Sequence, residues 1–167
     1  MSTRRRRRAG TILFGLLSAA AAGLAVTWFM FSRWSDIRTA AQPEADRLFE
    51  EARAASGGGP AYIRIDADGT VHVARELELE EPVDLRTLHL LAWEPARSNL
   101  VRIDFPFWFV RVKMTKSVNL GTLTSALAGD WERLDLSVSE EDLQRRGPGL
   151  ILDHRRPDGS RVLIRTD

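Results

Sequence analysis

The sequence predicts an α+β fold carried behind a single N-terminal transmembrane helix. Three observations predict it. Five consecutive arginines, Arg4, Arg5, Arg6, Arg7 and Arg8, stand before the uncharged run Thr11–Phe31. Beyond that run, apolar and polar residues alternate around Asp-Gly turns, the pattern of antiparallel β-hairpins. Between the hairpins lie short stretches with apolar residues at helical spacing. The expected organisation is a basic cytoplasmic flank (1–10), a transmembrane helix (11–31), a juxtamembrane helical stalk with a Gly-rich linker (32–59), and one extracytoplasmic α+β domain (60–167). That domain is expected to consist of antiparallel hairpins with two or three short helices.

A helix rises about 1.5 Å per residue, so Thr11–Phe31 reaches roughly 30 Å, the thickness of a bilayer's hydrocarbon core. Arginines flanking a span stay on the cytoplasmic side, which puts the N-terminus inside and residues 32–167 outside. Ala20-Ala21-Ala22 offers a small-residue signal-cleavage site. The apolar stretch continues past it through Leu24, Val26, Trp28 and Phe31, which favours an uncleaved anchor. Within the span, Gly15, Ala19 and Gly23 recur every fourth residue. Such a stripe lets two helix backbones approach and is a pairing signal, although any Ala- and Gly-rich segment produces it.

All 23 acidic residues lie beyond the span, as do the basic residues other than the five leading arginines, so the outer part is net acidic. That balance argues against a nucleic-acid platform. The chain has no cysteine, so neither a disulfide nor a lipidated Cys is available.

The outer elements follow in order. Pro43 suits a first helical turn, and Ala45, Leu48, Phe49 and Ala52 share one face, which predicts a helix over Pro43–Ala55. Gly57-Gly58-Gly59-Pro60 ends it, and 32–59 reads as a membrane-proximal stalk, the alternative being that the helix's apolar face docks on the domain or on lipid. Ala61, Ile63 and Ile65 alternate up to an Asp68-Gly69 turn and resume at Val71 and Val73, which predicts a hairpin. The alternation extends through Leu77 and Leu79. Further strands are expected at Leu85–Trp93 and Leu100–Phe105. Phe105–Val110 is the densest apolar patch outside the span. As a helix it would be capped by Asp104, with Trp108, Phe109 and Val112 on one face; as a strand its inward phase would flip near Phe109. Core packing explains it. The sharper alternative is a lipid or partner contact through Phe105, Phe107, Trp108 and Phe109. A helix is expected behind Asn119 through Trp131. Another begins at Ser139, whose hydroxyl can cap a first turn of Glu140, Glu141 and Asp142. A second hairpin closes the chain around Pro157-Asp158-Gly159.

No catalytic constellation is visible. His72 lies on the outward phase of its hairpin, His89 interrupts an apolar strand, and His154 sits beside Arg155 and Arg156. No histidine pair has metal-ligand spacing. Asp66-Ala67-Asp68-Gly69 starts like a calcium loop but lacks the later ligands. The expectation is no catalytic, cofactor or metal site. An alternative is a small ligand-binding or hydrolytic site assembled from His72, His89, Asp153 and His154.

Val101-Arg102-Ile103-Asp104-Phe105-Pro106, Val110-Arg111-Val112, a helical middle, Gly149-Leu150-Ile151-Leu152-Asp153, Asp158-Gly159 and Val162-Leu163-Ile164 follow one another in an order that resembles the small SHOCT-like domain of bacterial membrane-associated proteins. The similarity covers about residues 100–167 and rests on hydrophobic and turn positions. It implies a bacterial, non-enzymatic domain that supports interaction or assembly, and supplies no catalytic residue. The function expected is therefore that of a single-pass protein of the bacterial cytoplasmic membrane. Its partners would be the lipid bilayer and an envelope protein, or a second copy through the transmembrane helix, and not nucleic acid.

Overall fold

The computed structural model describes residues 33–66, 68–113, 118–119 and 137–167. Asp36–Asp167 is one compact unit; of the preceding unit, Met1–Ser35, only the end is described. The segment expected to span a membrane and the helix expected behind Asn119 lie outside the described residues. No helix among the described residues is long and apolar enough to cross a membrane.

The unit is α+β. Strand β1 (Ser35–Thr39) leads into helix α1 (Gln42–Ala55). The hairpin β2 (Ile63–Ile65) and β3 (Val71–Val73) follows, then β4 (Thr87–Glu94), β5 (Asn99–Pro106) and helix α2 (Phe107–Lys113). Short strands β6 (Val118–Asn119) and β7 (Ser137–Val138) pair with each other. Helix α3 (Glu140–Arg146) precedes β8 (Gly149–Arg155) and β9 (Arg161–Thr166). Seven strands form one sheet in the order β1-β5-β4-β9-β8-β2-β3. Both expected hairpins are present as antiparallel pairs. The sheet is nevertheless mixed, because β2 lies parallel to β8.

Side chains alternate across a sheet, so each central strand feeds two cores. Leu88, Leu90 and Ala92 of β4, Val101, Ile103 and Phe105 of β5, and Val162 and Ile164 of β9 pack on one face with Tyr62, Phe107, Val110 and Leu143. Leu91, Trp93, Leu100 and Leu163 point to the other face, where α1 covers them with Ala45 and Phe49. In β8 the alternation slips: Leu150 joins the α1 face, whereas Ile151 and Leu152 both join the opposite core. The register explains this. Leu150 pairs with Arg165 and Leu152 with Ile164, leaving Ile151 as the extra residue of a β-bulge.

Three expectations are corrected. Residues 32–59 do not stand apart as a stalk: β1 is a sheet strand, and α1 docks through Phe49, which is 1% exposed. Burying such a ring stabilises by roughly 1.5–3 kcal/mol, which a free helix would forgo. Leu77 and Leu79 do not continue a strand. Arg75–Leu77 is a 3-10 turn, and the Leu79 and Val83 amides donate to Arg145 and Gln144 at the end of α3. The Phe105–Val110 stretch divides at Pro106. The strand runs to that residue and α2 starts at Phe107, so Asp104 belongs to β5 and caps nothing. The inward face of α2 is Phe107 and Val110, and Trp108 points outward. The capping expected at Ser139 is present in full, with Ser139 and Asp142 each accepting from the other's backbone amide.

Candidate functional site

The α1 face of the sheet can be read as rows of residues in register. Trp93 lies beside Leu100 and Arg161; Leu91 beside Arg102 and Leu163, with Asp153 next to Leu163; His89 beside Asp104 and Arg165. The face thus grades from apolar to charged towards the His89 end. Helix α1 covers it unevenly. Glu50 and Arg53 lean to the Asp153 side, whereas Leu48, Glu51, Ala52 and Ala55, spaced at i, i+3, i+4 and i+7, line an open cleft of about 240 Å³ on the other side. Its floor is Leu91, Leu100 and Leu163, and its rim carries Arg38, His89, Arg102, Asp104 and Arg165.

His89 is the best-held polar group at the rim. Its Nδ1 is 2.6 Å from Asp104 Oδ1, and its Nε2 approaches Asp167 Oδ2 at 3.1 Å, off the direction of a formed hydrogen bond. The His89 contact, helped by Arg102 at 3.3 Å, holds the Asp104 carboxyl below the usual carboxylate range. Burial pushes the Asp167 carboxyl up, but His89, Thr87 and Arg165 together outweigh it and the net direction is down.

A second cluster locks the helix. Asp153 accepts from Arg161 Nε and Nη2, each at 3.2 Å, and from Arg53. Burial alone would raise its carboxyl; the two guanidiniums win, and it lies below the usual range. Arg161 also sits 4.4 Å above the centroid of Phe49, a cation–π contact. Every group here is engaged, so the cluster is structural.

His72, His89, Asp153 and His154 are not brought together. His72 is an exposed residue of the edge strand β3, 2.9 Å from Asp66. His154 pairs in register with Val162, on the face opposite His89 and Asp153. Its imidazole is held below the ordinary value by burial and then by Arg156. Among the described residues no group of three or more His, Asp and Glu is arranged to hold a metal ion. Of the four aromatic residues considered for contact, Phe105 and Phe107 are buried in the core and unavailable at a surface. Phe109 is half-buried and stacks on Phe105, and Trp108 is 55% exposed. Arg4 to Arg8, Gly15, Ala19 and Gly23 lie outside the described residues.

Arg38, Arg102, Asp104 and Arg165 were not singled out from sequence as site residues. The signal was present in the phase: Arg102 and Asp104 share the parity of Leu100, and Arg165 that of Leu163. Period-two reading alone places these charges on a covered face. Compared with family models, curated proteins and solved structures, the chain matches none.

Proposed function

We propose that this chain is a single-pass protein of the bacterial cytoplasmic membrane that holds its α+β unit outside as an interaction module. The observation that carries the reading is the junction of Arg4–Arg8 with the uncharged run Thr11–Phe31. The finer architecture proposed is one transmembrane helix at 11–31 ahead of the sheet unit. Gly15, Ala19 and Gly23 provide a surface for pairing with a second copy or with the span of an envelope partner. Of the four aromatic residues considered for a partner or lipid contact, Trp108 is the most exposed. The likeness to SHOCT-like domains agrees with a role in assembly. A hydrolytic site built on His72, His89, Asp153 and His154 is disfavoured, since those groups occupy different faces and edges of the sheet.

Protease added to intact spheroplasts tests the reading. Digestion of residues beyond the span, with the N-terminus protected and the protein resistant to alkaline extraction, is the expected result. Protection of the C-terminal unit until lysis overturns it.

A further inference from the structure

We propose that the cleft beside α1 binds a small carboxylate with an apolar body, and that Arg165 holds its charge. The proposal concerns only the sheet unit and does not depend on the anchor. Its basis is an inventory of charge. Arg38 is 3.8 Å from Asp36 and 3.1 Å from Glu44, and Arg102 is 3.3 Å from Asp104. The acids are engaged as well: Glu51 pairs with Arg47 at 3.3 Å, and Asp104 hydrogen-bonds His89 and is ion-paired with Arg102. Asp167 is within electrostatic range of Arg165 but lies nearer His89, whose Nε2 is 3.1 Å from its Oδ2. Arg165 lines the cleft, is half-buried, and has no carboxylate within ion-pair distance among the described residues. Among the described residues of this rim, it is the arginine with no ion pair at contact distance.

A guanidinium presents a planar fork that matches a carboxylate, and is weakly enough hydrated to accept one in a partly dry site. The paired acids Asp36, Glu51 and Asp104 around the same rim disfavour a dianion, which selects a monoanion over a phosphate monoester. The leucine floor next to Arg165 calls for an apolar body. The open cleft of about 240 Å³ has room for a small ligand, for which hexanoate is a suitable probe.

The test uses the full chain in lipid nanodiscs, with Leu and Ala methyl NMR during titration by sodium hexanoate and, separately, by hexan-1-ol. Empty nanodiscs give the partition baseline. Hexanoate is expected to produce saturable shifts centred on Ala52, Leu91 and Leu163. Arg165→Leu and Arg165→Gln are expected to weaken hexanoate by at least about tenfold, the worth of a charge-assisted contact, and to leave hexan-1-ol unchanged. Ala55→Phe, on the exposed flank of α1, blocks the cleft without touching the sheet and is expected to abolish both. The methyl spectra report whether each variant is folded. Equal affinity for acid and alcohol overturns the proposal. So does undiminished hexanoate binding in the folded Arg165 variants, or the absence of saturable shifts at the cleft.

Discussion

Arg161 donates from Nε and Nη2 to the two oxygens of Asp153, each 3.2 Å away, and these side chains are only 9% and 8% exposed. The pair joins neighbouring strands β8 and β9, and Arg53 and Glu50 of α1 close on it from above. A helix that covers an apolar sheet face has little directional information in its leucines and alanines. The buried ion pair supplies direction, because only one placement of α1 satisfies it.

Removing Asp153 takes away both hydrogen bonds of the buried Arg161 and leaves it only the longer contact with Glu50 at 3.6 Å. Asp153→Ala is expected to cost about 3–5 kcal/mol, measured by urea unfolding of the full chain. The double variant Asp153→Leu with Arg161→Met is expected to lose less than Asp153→Leu alone, since neither charge is then stranded. A double variant less stable than the single one would contradict this account.

Acid dependence follows from the same groups. The carboxyls of Asp153, Asp104 and Asp167 are held below their ordinary values in the folded chain. Each binds its proton more weakly folded than unfolded. Their contribution is complete above the ordinary carboxylate value, about pH 4, and is lost as pH falls through the lower folded values. His154 is also lowered, by burial first. Its contribution is complete above about pH 6.5 and is lost as pH falls through its folded value. The thermal midpoint, followed from pH 8 to 3, is expected to drop most steeply below about pH 4. His154→Gln is expected to flatten the segment just below about pH 6.5 relative to the parent; a segment that steepens instead refutes the assignment.

Gly147 ends α3 with a positive φ of 71°, a conformation that costs an L side chain strain. An added Cβ would also meet Leu79 Cδ1 at 3.0 Å. Gly147→Ala is expected to destabilise by about 1–2 kcal/mol in thermal unfolding, because strain and crowding act together. Leu79→Ala in the same chain relieves only the crowding, so the double variant should recover part of the loss.

The opposite end of α3 rests on a reciprocal cap. Ser139→Ala is expected to cost about 1 kcal/mol, read from the same unfolding experiment. Ser139→Asp, which can accept from the Asp142 amide, should restore most of it. If Ala and Asp proved equal, the cap would contribute nothing to stability.

The strongly patterned elements were legible in the residues. Ile63 and Val71 announce β2 and β3 through alternation around a turn, and Ser139 announces α3 through its hydroxyl and three following acids. Ala45, Leu48 and Phe49 announced α1 but not its seat, because an amphipathic stripe does not say which apolar surface will cover it. Strand β1 escaped notice since Asp36–Thr39 is exposed throughout, and an edge strand with little to bury carries no alternation. The parallel contact of β2 with β8 is a matter of topology and leaves no local trace. The cleft was missed for a different reason. The parity of Arg102 and Arg165 marks a covered face, but only the register of β5, β4 and β9 brings them to one rim, on either side of β4 in adjoining rows.

The strand order separates neighbours in the chain from neighbours in space. β1 needs β5, β2 needs β8, and α1 needs a floor drawn from β4, β5 and β9. The earliest segments to be synthesised therefore have no permanent seat until the latest arrive. During its passage from the ribosome the polypeptide must carry Phe49 and Tyr62 uncovered, and arrival of β9 closes both sides of the sheet in one step. Any chaperone that shields the nascent chain is expected to bind its first half, although the missing surface is made by its second.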